Sequence, residues 1–494
     1  MKKQIVLIMT DTQRWDMVNC YRNTGLQTPN IDEMAASGMM FTNAYTCQPV
    51  CGPARSAIFT GTFPHSNGVC ANSMPLGDNV KTIGQRLRDQ GIKTAFIGKW
   101  HLDGSDYFGL GRCPDGWDKD YWYDMKNYLE EMSAEDRLKS RDMFLMDKEN
   151  VQEVFTFGYK VAEKAIAFIK AHHDEDFLLC VSFDEPHHPF LCPKEYYDLF
   201  ENYEFPKDDA ICDDLSQKSP HYALWANKNI NLSKKDVSMN FQAFFGCNSF
   251  VDHLIGKVYR AVNQFVPEAL GIYTSDHGDA LYSHKITSKG PSSYDCISKI
   301  PLMIWQKNKI EKNSRYVFPA SHIDIVPTIL DFMNISLSKV LEGKSMLPAL
   351  YHHEKINDEI FLEYSRYEID HDGFGGYQPM RAVFDGRYKL TVFLLGSDEL
   401  YDLKNDPDEL DNLIYNEQLS ETRNKLHDRL LDWMNNTRDP FRGYYWERRD
   451  WRKDAAPASW DYTLMTRQRE DEYEPRQLDY LTGLEIEEAT RLKE

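Results

Sequence analysis

A thiol and a fixed cation stand together at the start of an apolar, helix-like stretch. Residues 47–61 read CQPVCGPARSAIFTG, in which a Gly-Pro turn separates Cys51 from Arg55. Residues four apart lie on one face of a helix, so Arg55 would point back at the thiol. The positive end of the helix dipole would also favour an anion at Cys51. The stretch is either an ordinary turn and helix cap or the setting of a nucleophilic cysteine.

Two other stretches offer ligands for a divalent cation. Asp11 follows the apolar run 5–9, and Asp276 and His277 follow the run 270–273. At such positions an aspartate is frequently a helix cap, and the second stretch is equally consistent with a turn. Two carboxylates and an imidazole at strand ends on one side of a sheet would form an oxygen-rich metal site.

Taken together and in order, the motifs resemble those of type I, formylglycine-dependent sulfatases of the alkaline phosphatase superfamily. The matching strings are CGPARSAIFTG from residue 51, GKWHL from 98, PHHPF from 186, SDHGD from 275 and HKITSKGP from 284. With supporting blocks outside the site, the resemblance covers most of residues 4–415. It implies an enzyme, a sulfuric ester hydrolase.

The resemblance also implies a set of site residues. The implied catalytic residues are Cys51, Arg55, Lys99, His101, His187 and Lys289. The implied metal ligands are Asp11, Thr12, Cys51, Asp276 and His277. Candidate substrate contacts are His284, Arg366, Arg381 and the glycine-rich stretch 373–377, and for the last three a structural role is the alternative.

Residue 12 departs from the family pattern, because many sulfatases carry a second aspartate where this chain has Thr12. A threonine oxygen, Gln13 or a water would then complete the metal site. Calcium is the expected ion, and manganese and magnesium are the alternatives.

The implied mechanism starts with oxidation of Cys51 to formylglycine by a maturation enzyme of the host. One hydroxyl of the aldehyde hydrate attacks sulfur, and His187 or Lys289 gives a proton to the departing alcohol. His101 then accepts the proton of the second hydroxyl as sulfate is expelled.

The expected substrate is a small sulfated saccharide, derived from a glycosaminoglycan or a mucin-type sugar. Two alternatives stay open. One is a phosphonate monoester or phosphodiester hydrolase of the same superfamily, which would use the same aldehyde. The other is a non-catalytic homologue that binds sulfated glycans and keeps Cys51 unmodified.

The elements that would position these residues are short apolar strands. The runs 5–9, 94–97, 177–183 and 270–273 alternate with helix candidates at 31–38, 82–90, 158–171 and 241–262. This pattern predicts an α/β fold in which helices flank a large, mostly parallel central sheet. The resemblance to sulfatases implies that this fold is alkaline-phosphatase-like. Ligands of such sheets bind beyond the carboxyl ends of the strands, so the polar residues there should converge.

Three regions are predicted along the chain. Residues 1–380 form the catalytic domain, and residues 381–445 form a smaller C-terminal α+β domain. Residues 446–494 form an extension rich in Arg, Tyr, Trp and Asp. We expect it to pack on the body or on a neighbouring subunit, in which case the protein is a homo-oligomer.

The composition and the hydrophobic runs argue against some classes of binding partner. The formal net charge of −20 argues against nucleic-acid binding, which needs clustered basic residues. No run approaches the length of a membrane span, and the N-terminal apolar run is too short for a signal peptide. The ten cysteines include no C-x-x-C pair, so the sequence indicates neither a zinc site nor a dense disulfide framework. A cytoplasmic location is expected, or a periplasmic one if a leader has been removed.

Overall fold

The computed structural model describes residues 2–104, 107–338, 340–368, 376–458 and 482–484. The strands are β1 Gln4–Thr10, β2 Met39–Phe41, β3 Ala44–Tyr45, β4 Lys93–Gly98, β5 Phe177–Ser182, β6 Leu270–Ser275, β7 Leu302–Trp305, β8 Ser314–Tyr316, β9 Ala320–Ser321, β10 Ile360–Arg366, β11 Tyr377–Phe384, β12 Tyr388–Phe393 and β13 Glu399–Asp402.

The α-helices are α1 Pro29–Ser37, α2 Cys51–Thr60, α3 Pro64–Asn67, α4 Ile83–Arg88, α5 Met125–Glu130, α6 Ala134–Lys139, α7 Leu145–Lys148, α8 Phe157–His172, α9 Lys194–Asp198, α10 His221–Ala226, α11 Gln242–Phe265, α12 Asp295–Ser298, α13 Ile325–Phe332, α14 Leu347–His352, α15 Ser420–Asn436 and α16 Tyr444–Glu447. In that part of the chain, none of them is both long enough and apolar enough to cross a bilayer.

The central sheet has seven strands in the order β4-β5-β1-β6-β7-β2-β8. The first four are mutually parallel, and β6–β7 and β7–β2 pair antiparallel. The predicted α/β fold with a mostly parallel sheet is therefore confirmed. The carboxyl ends of β4, β5, β1 and β6 lie at one edge of this sheet.

Strand β1 shows why the sheet is buried on both faces. All seven of its residues are buried, and its side chains alternate between two apolar clusters. Val6 and Ile8 pack in the cluster that contains α8 and α11 residues, whereas Ile5 and Leu7 pack in the cluster that contains α2 and α13 residues. Burial of each such side chain contributes roughly 1.5–3 kcal/mol to folding.

A second, antiparallel sheet of four strands follows in the order β10-β11-β12-β13, and α15 packs beside it. This sheet starts at Ile360, and β11 runs across the predicted boundary at 380/381. The division into domains stays a prediction. After α16, Arg449 pairs with Asp398 at 2.7 Å. Residues 459–481 and 485–494 of the extension lie outside the described residues, as do 373–375 of the glycine-rich stretch.

Candidate active site

Four buried side chains converge at the carboxyl edge of the central sheet. Asp11 and Asp276 come directly after the paired strand ends Thr10 and Ser275. Cys51 is the first residue of α2, and His277 follows Asp276. One potential ligand atom from each of Asp11, Cys51, Asp276 and His277 lies within 4.8 Å of the others. This group could hold a metal ion.

The imidazole of His277 is oriented for such a role. Its Nδ1–H donates to the Gly278 carbonyl at 2.8 Å, so Nε2 is the nitrogen that faces the group. Nε2 lies 3.3 Å from Cys51 Sγ and 3.6 Å from an Asp276 carboxylate oxygen.

Arg55 forms ion pairs with both carboxylates. Its Nε donates to Asp276 Oδ2 and its Nη2 to Asp11 Oδ2, each at 3.1 Å. Its Nη1 donates to the Lys99 carbonyl at 2.6 Å and to Ser182 Oγ at 2.8 Å. The side chain is fully buried. Although the sequence pattern directed Arg55 toward the thiol, its bonds in the structure fix Asp11 and Asp276.

The two carboxylates titrate differently. Burial disfavours ionisation of Asp11, but Lys99, 2.7 Å away, and neighbouring cations hold its pKa well below the usual value. Burial, followed by the negative charge of Asp11, raises the pKa of Asp276 to about 7. Without a metal ion the pair therefore carries a proton near neutral pH, and a divalent cation would displace it.

The Cys51 thiol lies in a strongly cationic environment. Lys289 Nζ donates to Sγ at 2.8 Å. Burial and the Asp11 charge oppose ionisation, but Lys289, Lys99 and His277 together lower the pKa of Cys51 to about 6. The position therefore favours an anionic atom.

Lys99 and His101 extend from the end of β4. Lys99 pairs with Asp11 and, at 3.1 Å, with Asp184. His101 has a left-handed backbone (φ 61°), and its two buried ring nitrogens have no hydrogen-bond partner among the described residues. Burial, then the charges of Lys99 and Arg55, lower the pKa of His101 to about 3. An unpaired buried imidazole is costly, which indicates that it meets a ligand.

His187 lies on the loop after β5. Its Nδ1–H donates to the His188 carbonyl at 2.9 Å, so Nε2 is the atom that exchanges a proton. Burial, then Lys99 and Lys289, lower the pKa of His187 well below its usual value. A bound anion would offset those cations and restore basicity to Nε2.

Thr12 and Gln13 have separate tasks. Thr12, with a left-handed φ of 65°, donates its hydroxyl to Asp11 Oδ1 at 2.7 Å and its backbone N–H to Asp276 Oδ1 at 3.2 Å. Gln13 instead faces away, because its amide donates to Asn248 Oδ1 at 2.7 Å and its oxygen accepts from the Tyr273 hydroxyl. Thr12 therefore orients both carboxylates, whereas Gln13 stabilises the end of strand β1.

Sequence reasoning missed three residues near the site. Asp184 pairs with Lys99. It follows the end of β5, just as Asp11 follows the end of β1, so the same strand-end pattern could have predicted Asp184 as a site residue. Tyr107 bonds Asp184 and lies 3.2 Å from His187 Nδ1, while Lys99 Nζ lies 4.1 Å from its ring centre. Burial raises the pKa of Tyr367, and the nearby charge of Lys289 opposes that rise. No sequence pattern marked either tyrosine.

The predicted substrate contacts lie in different settings. Arg381 is fully buried, pairs with Asp439 and lies over Phe441 and Trp446; it cannot reach a substrate, and its role is corrected to a structural one. His284 is buried against Asp213 (2.7 Å). Arg366 lies half-buried over the Tyr377 ring. For His284 and Arg366 substrate contact stays a prediction.

Comparison with known proteins identifies the family. Residues 3–335 match the sulfatase family model, and residues 292–436 match that of the C-terminal region of N-sulphoglucosamine sulphohydrolase. A relative in Escherichia coli K12, named uncharacterized sulfatase YidJ, is 41% identical in an alignment of 493 positions that covers 98% of this chain and 97% of the relative. The chain belongs to the sulfatase family. This sulfatase is accordingly a sulfuric ester hydrolase.

More distant relatives share the fold with diverse substrates. The N-acetylglucosamine-6-O-sulfatase of Bacteroides thetaiotaomicron is 23% identical to this sulfatase, with 86% of this chain and 85% of that protein covered. The phosphonate monoester hydrolase of Agrobacterium radiobacter superposes with a TM-score of 0.74 at 21% identity, with 88% and 96% covered. At that identity the second comparison establishes the fold alone.

Proposed function

We propose that this sulfatase hydrolyses the sulfate monoester of a saccharide at the site built on Asp11, Cys51, Asp276 and His277. The observation that carries the proposal is the setting of Cys51: Sγ touches Lys289 and His277, inside a buried group suited to a metal. The saccharide is supported by the relative that acts on N-acetylglucosamine 6-O-sulfate.

Two groups would complete the site. The proposed metal, calcium with manganese and magnesium as alternatives, would bind to Asp11, Asp276, His277 and residue 51, where it would polarise the sulfate group, while formylglycine made from Cys51 would supply the nucleophilic oxygen. The residues present fit this assignment, since two carboxylates and an imidazole surround one buried point.

The remaining side chains would stabilise the negative charge of the sulfate group and transfer protons. Lys99 and Lys289 are buried cations, and they would stabilise the negative charge of the sulfate where water is excluded. His187 Nε2 would give a proton to the departing alcohol oxygen. His101, neutral and without a partner, would accept a proton on the side of residue 51.

A substrate panel tests the proposal. The metal-loaded protein would be given sulfated mono- and disaccharides, an aryl sulfate and an aryl phosphonate monoester, and sulfate or phenol release would be followed. We expect the highest kcat/KM on a sulfate ester. A higher kcat/KM on the phosphonate would instead assign the protein to the phosphonate hydrolases, and no turnover of any ester would favour a glycan-binding homologue.

Replacing His187 by Gln should slow turnover in a way that depends on the alcohol. An alkyl alkoxide is a poor leaving group that needs the proton, so we expect kcat for a sugar sulfate to fall about 100- to 1,000-fold. A nitrophenolate leaves without a proton, so kcat for 4-nitrophenyl sulfate should fall less than about tenfold. Steady-state rates on both esters provide the measurement.

The neighbouring His188 offers a matched control for that experiment. It is exposed and stacks on His187 with ring centres 4.1 Å apart. His188→Gln should leave the ratio of the two rates close to that of the parent protein. An equal loss on both esters in His187→Gln would remove His187 from the role of proton donor.

Metal affinity should depend on pH through Asp276. Because the pKa of Asp276 without metal is about 7, its carboxylate is protonated below that pH and must lose the proton when metal binds. We therefore expect the calcium Kd to be nearly constant above pH 8 and to rise up to about tenfold per pH unit below pH 6. Calorimetric titration from pH 5.5 to 8.5 measures this change.

Calorimetry also counts the protons released. In buffers of different ionisation enthalpy, about one proton should be released per bound ion at pH 6, and almost none at pH 8.5. A Kd that is flat across this range would show that Asp276 is already ionised in the metal-free protein.

A further inference from the structure

A cavity of about 530 Å³ opens beside the site. Its walls come from the segment around α7, the loop after β5, the start of α11 and the residues that precede Lys289. Most of its surface is aromatic or aliphatic, from Phe144, Phe190, Phe241, Phe244, Leu281 and Tyr282. Phe241 and Tyr282 stack with their planes 19° apart, so this part of the lining is an aromatic pair.

The cavity is continuous in the chain with the residues around Cys51. Ser288 lines the cavity, and the next residue, Lys289, donates to Cys51 Sγ at 2.8 Å. Phe190 lines it on the other side, at the end of the loop that carries His187 and the exposed His188. Ring contacts connect this wall to the site, since the ring centres of Phe190 and His188 lie 6.2 Å apart and those of His188 and His187 lie 4.1 Å apart.

The wall nearest to Lys289 is conformationally strained. Five non-glycine residues between Leu281 and Ser288 have left-handed backbones: Leu281, Tyr282, His284, Lys285 and Ser288. The loop is closed by the Ala280 N–H, which donates to the Ser288 carbonyl at 2.8 Å, and by Lys285 Nζ, which donates to the Ile230 carbonyl at 2.7 Å. Strain that the surroundings enforce at several adjacent positions is typical of functional surfaces.

The charge of the cavity differs from that of the site. Among the described residues that line it, the charged ones are Asp147 and Asp279, and none is a lysine or arginine. The nearby Arg141 lies instead over the rings of Tyr107 and Phe108, at 5.7 and 5.3 Å. The lining of the cavity therefore carries negative charge, which disfavours an anionic group there.

We propose that this cavity receives the alcohol portion of the sulfate ester and selects an uncharged ring with an apolar face. The inference rests on the proposed sulfatase activity and narrows its substrate class. A neutral sugar ring or an aryl ring can lie on the aromatic wall, whereas a second sulfate or a uronate carboxylate would face Asp147 and Asp279. Highly anionic glycosaminoglycan fragments are thereby disfavoured.

A pair of aryl sulfates that differ by one charge tests the electrostatic part. 4-Carbamoylphenyl sulfate and 4-carboxyphenyl sulfate have nearly the same size, and the ratio of their kcat/KM values is the readout. Asp147→Asn removes one carboxylate and keeps an oxygen that can accept from the Tyr197 hydroxyl. We expect this variant to shift the ratio about threefold in favour of the anionic ester. An unchanged ratio would overturn the proposal.

Phe144 and Leu138 form a matched pair for the apolar part. Phe144 lines the cavity and is 65% exposed, whereas Leu138 is 77% exposed on α6 and does not line it. Neither substitution by alanine should affect folding. We expect Phe144→Ala to lower kcat/KM for the carbamoyl ester about three- to tenfold and Leu138→Ala to leave it unchanged. Equal effects of the two substitutions would overturn the proposal.

Sugar esters distinguish the source of the ring. N-acetylglucosamine 6-sulfate and glucosamine 2-N,6-O-disulfate differ by one anionic group, and faster turnover of the monosulfate would identify a neutral sugar as the alcohol. Turnover restricted to the aryl esters would identify an aryl alcohol. Faster turnover of the disulfate would contradict the proposed selectivity. Absence of sulfate release from every ester would instead refute the sulfatase activity itself.

Discussion

Replacement of Cys51 by alanine is expected to lower kcat for sulfate ester hydrolysis by at least about 1,000-fold. Conversion to formylglycine would replace Sγ of Cys51 by the nucleophilic oxygen, and Sγ touches Lys289 and His277. Loss of this one atom removes little packing, so the thermal midpoint should change by only a few degrees. Steady-state kinetics and thermal unfolding of the same preparation measure both.

Cys47 provides the control for that substitution. It is also fully buried, but its Sγ lies 3.3 Å from Ser321 Oγ, and burial raises its pKa. Cys47→Ala should therefore retain activity. Mass spectrometry of the Cys51 peptide should show sulfur exchanged for oxygen and a pair of hydrogens lost. If Cys51→Ala keeps more than a tenth of the parent rate, the proposed nucleophile is wrong.

Replacement of Arg55 by alanine should abolish activity and also destabilise the metal-free protein by about 3–5 kcal/mol. The guanidinium lies between the buried carboxyl groups of Asp11 and Asp276, and its loss leaves both without the cation and the hydrogen bonds that they share in a dry interior. A divalent ion would take over part of this compensation. We therefore expect calcium to raise the unfolding midpoint of Arg55→Ala more than that of the parent protein.

Arg381 allows a matched comparison. It is equally buried and pairs with Asp439, far along the chain from the metal-binding group. Arg381→Ala should lose a similar amount of stability, but calcium should stabilise it no more than it stabilises the parent. Urea unfolding of both variants with and without calcium gives the free energies. If calcium stabilises the two variants equally, Arg55 has no special link to the metal-binding carboxylates.

The sequence was most informative where a strand ends. Asp11 and Asp276 could be predicted as neighbours because parallel strands deliver their final residues to one edge, and β1 and β6 pair directly. The contacts of side chains that depend on long-range packing were harder to predict from the sequence. The four bonds of Arg55 go to residues at four separate strand ends, and a motif does not specify which partners an arginine finds.

The same limit applies elsewhere in the chain. Arg381 was nominated for its charge alone, and the sequence gives no sign that Asp439 closes over it. The second sheet begins with β10, whose partner β11 lies beyond the glycine-rich stretch, so the local pattern did not reveal their pairing. Tyr107 reaches the site from a long connection after β4, where no periodicity identifies a neighbour.

The burial of Cys51 has a consequence for how an active molecule is made. With 1% of its surface accessible, at the start of a helix packed beneath Lys289 and His277, the thiol is closed to any large protein once the chain has folded. Oxidation by a maturation enzyme would have to take place on the nascent or unfolded polypeptide. Activity would then be decided during biosynthesis, and a chain that folds too early would stay permanently inert.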